Sequence, residues 1–562
     1  MKIVIIGGVG AGASMAARLR RLSKDDKIII LEKGNYVSYA NCGLPYYVSN
    51  VISSRDDLLL MTPQLFKSRF QIDVRVQNEV IKIDAENKKV TVLDHLNQDN
   101  YLESYDKLII ATGSSPIKLP IPGIDSSRIY QLWSFNDFEK IKQKIILEDI
   151  KSVCVVGGGF VGIETAENLV ENNVAVDIVE KSLQVLNNLD FEMAQIVHKK
   201  LCQKGINLNL DTELIQFEDH DNQIVVKTNR FEKEYDMVIL STGVKPNSKI
   251  AKEAGISCNL AGGIIVDDTF KTNIEDIYAI GDVIEVEHLI NHKKTMIPLA
   301  GPANKQGRML GDILAGKEKR YPGSLGSSII KVFDLVAAST GLNEKQLNQQ
   351  GLKRHEDYEA IILQQKAHAG YYPNASFITL KVIYDQEGYL LGGQIVGYQG
   401  VDKRIDVLAT AINYHGQVTD LQDLHLAYAP PFSSAKDPIN MVGYVSENIA
   451  DGYIKMMLPD EYQQVKDNVI TLDVREDEER ANGQISNSYH IPYGQLIKRY
   501  NELDPDKTIV IYCAIGVRAY NCARILMQRG YSKVYVLSGG LAFYNDYCFD
   551  VNYVKKKLVS NK

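Results

Sequence analysis

The chain has 562 residues, of which 45% are hydrophobic and 24% are charged, values that are ordinary for globular proteins. This composition excludes a collagen, a coiled coil or a disordered chain for most of the length, and the length predicts about three to five domains. The formal net charge of −7 argues against a nucleic-acid partner, because such proteins usually carry a basic domain. No apolar stretch reaches the roughly 20 residues of a membrane span, and the Gly-rich N-terminus is not typical of a signal peptide. Seven cysteines without a CxxC pair do not indicate a disulfide framework, so we expect a cytoplasmic protein, and we expect no metal site.

The first predicted element is a strand, KIVIIG, which leads into a glycine-rich loop and an Ala-rich helix. The glycines of this loop are Gly7, Gly8, Gly10 and Gly12. A second strand follows and ends at Glu32, which completes a βαβ unit of the kind that binds a dinucleotide at the helix N-terminus. Val9 stands where a regular motif has its middle glycine, so we expect Gly8 or Gly10 to provide the close backbone approach to phosphate.

A second βαβ unit begins near Ser152 and carries a complete GxGxxG motif formed by Gly157, Gly159 and Gly162. Its next strand ends at Glu180, which is placed to accept hydrogen bonds from ribose hydroxyls. An acid at this position repels a 2′-phosphate and therefore favours NADH over NADPH.

Apolar strands that end in Thr112-Gly113 and in Thr242-Gly243 are expected to close the two nucleotide domains as third parallel strands. The pattern changes to that of an α+β domain between about Ile329 and Asn440, and a separate α/β pattern begins near Asn468. The predicted fold class is therefore α/β, with two Rossmann-like domains, an α+β domain and a C-terminal α/β domain.

The two dinucleotide-binding units and the later Gly281-Asp282 pair resemble the two-dinucleotide-domain flavin oxidoreductases, the pyridine nucleotide-disulfide oxidoreductase family. The resemblance covers about residues 1 to 440. It implies FAD in the first domain, NADH or NADPH in the second, and hydride transfer from nicotinamide to flavin. It also implies that Asp282 holds a ribityl hydroxyl, that Glu164 lies near the nicotinamide, and that Pro298-Leu299-Ala300 opens a helix aimed at the flavin.

Cys42 is the residue that indicates what the flavin reduces. Glutathione-reductase-type enzymes have two cysteines in this stretch, whereas here Tyr46 and Tyr47 stand where a partner would be. A single thiolate must attack an external sulfur or a peroxide. The motif resembles the coenzyme A-disulfide reductase branch, in which the cysteine forms a mixed disulfide with coenzyme A. The alternative is the NADH oxidase and peroxidase branch with a sulfenic acid, which carries a His where this chain has Gly10.

Two tyrosine-containing segments resemble family stretches whose tyrosines reach the cysteine of the partner subunit. The residues chosen are Tyr371 and Tyr428, with Tyr372 as an alternative, and their hydroxyls would donate to a departing thiolate. The resemblance therefore implies a homodimer. Packing at a subunit interface is the alternative role for these side chains.

Further candidates surround the cysteine and the first helix. Ser38 and Asn41 belong to the Cys42 motif and are predicted catalytic residues. Arg18, Arg21 and Lys67 are predicted to meet the phosphates of coenzyme A, although a solvated helix face is an equal alternative for the two arginines.

The C-terminal domain carries a second isolated thiol, Cys513, in the loop Cys-x-x-Gly-x-Arg that ends at Arg518. Backbone N–H groups and the helix dipole at such a strand–loop–helix junction stabilise a persulfide anion. Together with Asp473-Val474-Arg475, Glu479 and His490-Ile491-Pro492, the loop resembles a single rhodanese domain. The loop has one cation, which leaves thiosulfate use open, and a sulfur-sensing or binding module is the alternative.

The complete chain resembles a coenzyme A-disulfide reductase–rhodanese fusion, the group that includes NADH-dependent persulfide and polysulfide reductases. The expected activity is reduction of coenzyme A disulfide, coenzyme A persulfide or polysulfide through Cys42, with sulfane sulfur carried by Cys513 and with release of coenzyme A thiol or hydrogen sulfide. The alternative is an NADH oxidase or peroxidase with an appended sulfurtransferase or sensing module. The predicted domains are FAD-binding (1–115 and 245–325), NAD(P)H-binding (116–244), dimerisation (326–445), linker (446–465) and rhodanese (466–562).

Overall fold

The structure is a computed structural model, and it describes residues 1–551. Within this range the strands, numbered in chain order, are β1 (Lys2–Ile6), β2 (Lys27–Glu32), β3 (Asp73–Val76), β4 (Asn78–Asp84), β5 (Lys89–Asp94), β6 (Asp99–Ser104), β7 (Lys107–Ile110), β8 (Ser114–Pro116), β9 (Ile129–Gln131), β10 (Ser152–Val156), β11 (Ala175–Val179), β12 (Asn207–Asn209), β13 (Leu214–His220), β14 (Gln223–Thr228), β15 (Glu232–Tyr235), β16 (Met237–Leu240), β17 (Val244–Pro246), β18 (Ile277–Ala279), β19 (Val286–Glu287), β20 (Lys294–Thr295), β21 (Ser328–Val332), β22 (Leu335–Gly341), β23 (Tyr358–Lys366), β24 (Phe377–Asp385), β25 (Leu390–Gly397), β26 (Met456–Met457), β27 (Ile470–Asp473), β28 (Tyr489–His490), β29 (Ile509–Tyr512) and β30 (Val534–Leu537).

The α-helices in the same range are α1 (Ala11–Leu22), α2 (Leu44–Val48), α3 (Pro63–Phe70), α4 (Phe135–Leu147), α5 (Phe160–Glu171), α6 (Phe191–Gln203), α7 (Lys249–Glu253), α8 (Ala300–Leu314), α9 (Glu344–Asn348), α10 (Val401–Asn413), α11 (Pro438–Ala450), α12 (Pro459–Val465), α13 (Asp477–Ala481), α14 (Leu496–Arg499), α15 (Val517–Met527) and α16 (Gly540–Tyr547). Short 3₁₀ helices cover Asn41–Gly43, Arg55–Leu58, Thr419–Asp423, Lys466–Asn468, Tyr493–Gln495 and Tyr500–Glu502.

The chain divides into two compact units. The first consists of Met1–Lys181 and Thr212–Gly326, and the second consists of Ser182–Asp211 and the chain from Ser327 onward. The short segment Ser182–Asp211, which contains α6, therefore belongs with the C-terminal half of the chain. Each unit is described by itself below.

The first unit contains two parallel sheets. In one the strand order is β18-β7-β1-β2-β3, and β1 lies between β7 and β2. The interior of β1, Ile3 to Ile5, is fully buried, as expected for a parallel strand that is covered on both faces. Helices α1 and α8 pack closely together, because a Cβ at Gly307 would lie only 2.4 Å from the carbonyl oxygen of Ala11.

The second sheet of this unit repeats the arrangement with β11, β10, β16 and β9 as neighbours, again all parallel. Antiparallel three-stranded sheets, β4-β5-β6 and β13-β14-β15, are inserted in the two halves. The strands β8 and β17 pair with each other, and each comes directly after a Thr-Gly that ends a parallel strand. The chain thus passes between the two halves of this unit at β8 and returns at β17.

The second unit contains an antiparallel sheet and a parallel sheet. The antiparallel sheet has the order β21-β22-β25-β24-β23 and packs against α10 and α11. The parallel sheet has the order β26-β30-β29-β27-β28 and lies between residues 456 and 537. The predicted architecture of two Rossmann-like sheets, an α+β domain and a C-terminal α/β domain is confirmed.

The segment predicted as a linker has regular structure. It contains the end of α11, all of α12, and β26, which pairs with β30 in the C-terminal sheet. Its sequence is not rich in the glycine, proline and serine of a flexible connection, which agrees with this order. The exact limits of the domains stay a prediction.

The last helix of the described chain packs against α6. The amide Nε2 of Gln195 donates to the carbonyl oxygens of Tyr547 at 2.9 Å and Phe549 at 3.0 Å. The ammonium of Lys199 pairs with Asp546 at 2.6 Å. The C-terminal domain is therefore held by hydrogen bonds and an ion pair from a helix that is more than three hundred residues earlier in the chain.

None of the helices that the structure describes combines the length and the apolar character needed to cross a bilayer.

Candidate active site

The first glycine loop is shaped by close backbone contacts. Gly7 has a φ of +100°, and a Cβ there would lie 2.3 Å from the carbonyl oxygen of Ala111. A Cβ at Gly12 would lie 2.0 Å from the oxygen of Gly7, so α1 can approach β1 only without a side chain. The N–H of Gly8 donates to Oε2 of Glu32 at 2.8 Å, whereas a Cβ at Gly10 would face open space. Gly10 is therefore better placed than Gly8 to let a phosphate approach.

The second glycine loop has the same geometry. Gly157 has a φ of +109°, and its Cβ would lie 2.3 Å from the oxygen of Ser241. Gly162 would place a Cβ 2.1 Å from the oxygen of Gly157, and Gly159 faces open space. Oε2 of Glu180 accepts from the N–H of the residue after Gly157 at 2.7 Å, as Glu32 does in the first loop. The two loops thus share these close contacts, although their N-cap glycines differ, with Gly10 helical and Gly159 extended.

Both loops fit a bound dinucleotide. Helices α1 and α5 follow glycines at their N-caps, and no side chain caps either end. Their first N–H groups therefore lack an internal acceptor, and a pyrophosphate supplies such acceptors. The residues present are consistent with FAD at the first loop and NAD(P)H at the second.

Other predicted cofactor residues follow the strands β7, β16 and β18 of the two parallel sheets. Gly113 and Gly243 are the second residues of the two Thr-Gly pairs, and their φ angles are positive, at +64° and +94°. Thr112 Oγ1 donates to the carbonyl oxygen of Asn247 at 2.9 Å. The N–H of Gly281 donates to Oε1 of Gln306 at 2.7 Å, which fixes the turn that presents Asp282.

Asp282 is a partly buried carboxylate with one weak partner. Ser114 Oγ lies 3.5 Å from its Oδ2. Burial raises the pKa of this carboxyl, and the Ser114 hydroxyl opposes that shift. A hydroxyl-bearing ligand would supply the hydrogen bonds that this acid needs, which suits the ribityl role expected for it.

Cys42 lies in the short 3₁₀ helix Asn41–Gly43, directly before α2, and its side chain is accessible to solvent. The surrounding protein raises the pKa of its thiol, first by displacing water and then through the negative charges of Glu164 and Asp282. Tyr46, one helical turn later, donates from its hydroxyl to Oε1 of Glu164 at 3.3 Å. Burial raises the pKa of Glu164 to about 7. The thiol of Cys42, the phenol of Tyr46 and the carboxyl of Glu164 therefore lie close enough for the charge of one to change the pKa of another.

The neighbours of Cys42 in the motif have different surroundings. Ser38 has a φ of 50°, and its N–H donates to the oxygen of Gly8 at 2.9 Å, which ties this segment to the first glycine loop. Asn41 begins the 3₁₀ helix and is exposed. The roles predicted for both side chains in catalysis stay predictions.

The residues predicted to meet coenzyme A phosphates do not form one cluster of free cations. Arg18 pairs with the buried Asp312 at 2.6 Å, so its guanidinium already has an anionic partner. The guanidinium of Arg21 lies 5.2 Å from the centre of the Phe70 ring. Lys67 is exposed in the last turn of α3. Lys67 and Arg21 are therefore more available for a phosphate than Arg18.

The helix predicted to point at the flavin begins as expected from its sequence. Pro298 precedes the N-cap residue Leu299, and Ala300 is the first residue of α8. No side chain caps this end, so its N–H groups are available to a bound group. The orientation of α8 toward a flavin stays a prediction.

In the second unit, the structure brings two of the predicted tyrosines together. The hydroxyls of Tyr371 and Tyr428 lie 3.1 Å apart, although 57 residues separate them in sequence. Both rings are exposed, with 78% of Tyr371 accessible to solvent. The alternative choice, Tyr372, packs its ring edge against His368 at 5.6 Å between centres. Tyr371 and Tyr428 are thus the pair that presents hydroxyls outward.

The C-terminal loop surrounds the thiol of Cys513 with backbone groups. The Sγ atom accepts a hydrogen bond from the N–H of Gly516 at 3.1 Å, and α15 begins at the next residue. Arg518 forms two hydrogen bonds with the carboxylate of Glu479, at 2.5 and 2.6 Å. Cys513 is only 1% exposed. The loop therefore places a buried sulfur where a backbone N–H group stabilises negative charge on it.

Sequence reasoning missed several residues that shape these sites. In the sequence, Tyr46 indicates only that a second cysteine is missing at this position, although its place one helical turn after Cys42 also predicts that the two side chains lie close together. Lys142 donates to the carbonyl oxygen of Tyr47 at 2.8 Å and covers that ring, and Gln306 fixes the Asp282 turn. The last two are distant in sequence, and no local pattern indicates them.

Comparison with known proteins agrees with this geometry. Residues 1–307 match the family described as pyridine nucleotide-disulphide oxidoreductase. The chain belongs to this family. Residues 327–438 match the dimerisation domain of the family, and residues 458–546 match a rhodanese-like domain.

Members of the family and their fusions are similar over most of the chain. The coenzyme A disulfide reductase of Staphylococcus haemolyticus (strain JCSC1435) is 35% identical over 450 residues, which are 80% of this chain and 100% of that protein. The crystal structure of reduced CoADR-RHD from Bacillus anthracis has a TM-score of 0.94 and 44% identity, and covers 97% of this chain and 98% of that one. An NAD-dependent persulfide reductase from A. fulgidus has a TM-score of 0.91 and 38% identity, and covers 97% and 100%.

Proposed function

We propose that this protein is an FAD-dependent enzyme that uses NADH to reduce the sulfur–sulfur bond of coenzyme A disulfide, coenzyme A persulfide or polysulfide. The observation that carries the proposal is the accessible Cys42, which has Tyr46 and Tyr47 where an internal cysteine partner would be. The similarity to a coenzyme A disulfide reductase over 80% of the chain and to a persulfide reductase over 97% of it supports this substrate class.

The chain's own residues divide the work between binding and sulfur chemistry. The glycine loops and helix ends hold the two dinucleotides, with Gly10 and Gly159 leaving space for the phosphates. Asp282 would accept hydrogen bonds from a flavin hydroxyl, and Glu180, directly after β11, would disfavour a 2′-phosphate, which supports NADH as the preferred donor. When bound, these cofactors supply the electron pair that the reaction requires.

Cys42 performs the first sulfur step. Its thiolate attacks one sulfur of the substrate, forms a mixed disulfide with one half and expels the other half as a thiolate or as sulfide, which takes up a proton. Glu164, with a pKa raised to about 7 by burial, can hold or release a proton near neutral pH. Tyr46 connects to that carboxyl by its hydroxyl. Ser38 and Asn41 shape the segment that presents the thiol.

The enzyme is proposed to act as a homodimer in the cytoplasm. The dimerisation domain and the outward hydroxyls of Tyr371 and Tyr428 support a site in which these residues serve the cysteine of a second copy. The free cysteines of the chain support a reducing compartment.

Cys513 is proposed to carry sulfane sulfur as a persulfide and to deliver it to the reductase site. The hydrogen bond from Gly516 to Sγ and the Arg518–Glu479 pair support this role, because they stabilise an anionic sulfur and order the loop. The phosphates of coenzyme A would pair with cations of the first unit such as Lys67.

Steady-state oxidation of NADH with coenzyme A disulfide, coenzyme A persulfide, glutathione persulfide, polysulfide, oxygen and peroxide tests the proposal. We expect the sulfur compounds to be the better acceptors and Cys42→Ser to abolish their reduction. Cys258→Ser, a partly buried cysteine elsewhere in the first unit, is the matched control and should keep the activity. Retention of persulfide reduction by Cys42→Ser, or faster turnover of oxygen or peroxide, would contradict the proposal.

A further inference from the structure

The second unit contains a cavity of about 560 Å³ that shares no residue with the sites described above. Its walls are α6, the sheet strands β22 to β25, and α16 of the C-terminal domain. A volume of several hundred Å³ is typical of pockets that hold a small organic molecule. The cavity therefore has the size of a ligand site and is formed by two different domains.

The cavity carries an excess of positive charge. The lysines that line it are Lys199, Lys200 and Lys366, and the one acid is Asp546. Lys199 is paired with Asp546 at 2.6 Å, and Lys200 is paired with Asp334 at 2.5 Å. Lys366 donates to the carbonyl oxygen of Ala375 at 3.1 Å, and no carboxylate among the described residues pairs with it. An anion is the partner that this ammonium lacks.

Two buried polar atoms of the lining also lack a hydrogen-bond partner. Gln364 is 3% exposed, and its Oε1 is buried without a donor, while its Nε2 donates to Thr379 at 3.3 Å. Ser376 Oγ is buried and unpartnered as well. Buried polar groups are nearly always satisfied in native proteins, so these atoms indicate a bound group that carries donors. The Oε1 atom of Gln364 in particular needs a hydroxyl or an N–H group as its hydrogen-bond donor.

Aromatic rings complete the lining. Phe377 lies beneath the ammonium of Lys366, 3.8 Å from Nζ to the ring centre, and Tyr398 lies 4.9 Å from the ammonium of Lys200. Both rings are partly exposed, at 38% and 41%. A planar group can stack on such a ring. The cavity thus combines a cation, a buried acceptor and aromatic faces.

We propose that this cavity binds a nucleoside phosphate. The phosphate pairs with Lys366, a ribose hydroxyl donates to Gln364, and the base stacks on Phe377 or Tyr398. The ligand is a free nucleotide or the nucleotide part of a larger molecule such as NADH or coenzyme A, since all of them present the same chemistry. The inference does not depend on the reaction proposed for Cys42.

Equilibrium dialysis of radiolabelled AMP against the full-length, FAD-loaded enzyme tests the site. The dinucleotide-binding loop also recognises AMP, so the measured quantity is the number of AMP molecules bound per chain. We expect Lys366→Met and Gln364→Leu each to weaken AMP binding in the cavity at least tenfold. AMP binding at the dinucleotide-binding loop should be unchanged. Lys353→Met, an exposed lysine of the same domain outside the cavity, is the control and should bind like the wild type.

Two further measurements separate loss of the site from loss of the fold. Phe377→Ala changes a partly exposed ring and should also weaken this class of sites, and all variants should keep the flavin and the reductase activity of the wild type. If NADH or coenzyme A competes with AMP in the wild type but not in Lys366→Met, the cavity binds the nucleotide part of that larger molecule. If only free nucleotides compete, the ligand is a free nucleotide. Equal AMP stoichiometry and affinity in the wild type and in all three cavity variants would overturn the proposal.

Discussion

The hydroxyl of Tyr46 lies 3.3 Å from Oε1 of Glu164, and the charge of Glu164 raises the pKa of the Cys42 thiol after the larger effect of burial. The carboxyl has a pKa raised to about 7, mainly by burial. It is therefore mostly neutral below neutral pH and mostly negative above it. Because a negative charge disfavours a nearby thiolate, ionisation of Glu164 makes the thiol of Cys42 harder to deprotonate.

Glu164→Gln is expected to increase the rate at which iodoacetamide alkylates Cys42 at pH 8, by several-fold. At pH 6 the wild type and the variant should react alike, because Glu164 is then protonated and carries no charge. Glu171→Gln, an exposed acid at the end of the same helix, should match the wild type at both pH values. An equal ratio of rates at pH 6 and pH 8 would show that the charge of Glu164 does not act on Cys42.

Cys513→Ser is expected to slow NADH-dependent turnover of protein persulfides and other bulky persulfides at least tenfold. Reduction of coenzyme A disulfide should stay near the wild-type rate, because that substrate needs only Cys42. The exposed Cys548 provides the control Cys548→Ser. Mass spectrometry of the protein after incubation with a sulfur donor should show the added sulfur on Cys513, and its absence there would contradict the carrier role.

Glu479→Gln is expected to reduce sulfur transfer through the C-terminal domain without affecting the reductase. The change removes the charge that orients Arg518, whose two hydrogen bonds to Glu479 are 2.5 and 2.6 Å long. The hydrogen bonds from Arg518 lower the pKa of Glu479 to about 2 against the opposing effect of burial, so the effect should be constant from pH 5 to pH 8. The measurement is the rate of persulfide formation on Cys513. Glu478→Gln on the same short helix is the control, and equal rates in both variants would exclude an orienting role.

Lys381→Met is expected to destabilise the second unit strongly. The ammonium is fully buried and pairs with Asp190 at 2.7 Å and also with Glu192 and Glu344. Removing the cation leaves three buried carboxylates together, and the loss of one partner from a buried ion pair typically costs about 3–5 kcal/mol. Urea unfolding of the FAD-loaded enzyme checks this, with the exposed Lys345→Met as a control within about 0.5 kcal/mol of the wild type. Similar unfolding midpoints for the two variants would show that the cluster contributes little.

His198 is expected to make the second unit less stable in acid. Its Nε2 accepts from the N–H of Val185 at 3.1 Å, and burial lowers its pKa to about 4 from an ordinary 6.5. Between these two values the unfolded chain takes up a proton that the folded chain does not, so the free energy of unfolding falls as the pH drops. The full contribution is roughly 3 kcal/mol, from the difference of the two pKa values.

The measurement compares urea unfolding of the wild type and His198→Gln at pH 7 and at pH 4.5. The variant should lose less stability between the two pH values than the wild type does. His220→Gln removes an exposed histidine and should keep the wild-type pH dependence. A variant with the same loss as the wild type would assign the acid sensitivity to other groups.

The glycine loops and the cysteine motifs could be predicted because their geometry is local. The positive φ angles at positions 7 and 157 favour glycine in the turn itself, although the carbonyl oxygens that would also exclude a Cβ there belong to the distant Ala111 and Ser241. The parallel pairing of β1 with β2 and of β10 with β11 follows from the repeated βαβ pattern. These turns and βαβ units depend mainly on residues close in sequence, so the spacing of the motifs predicts them.

The features that sequence did not indicate depend on distant partners. Arg18 was expected at a phosphate or in solvent, yet Asp312 is its partner, 294 residues away. Lys381 lies between Leu380 and Val382 in β24, and its pairing with Asp190, Glu192 and Glu344 explains why a charge is buried there. The assignment of Ser182–Asp211 to the C-terminal half likewise depends on contacts that no local pattern encodes.

The contact of Gln195 with the carbonyl of Phe549 spans 354 residues of sequence. A ribosome that adds about 5–20 residues per second needs roughly 20–70 seconds to synthesise the intervening chain. During that time α6 lacks these contacts, including the one between the rings of Phe191 and Tyr547. The packing of α16 against α6 can therefore form only after synthesis has passed Phe549, although most of the second unit is made earlier.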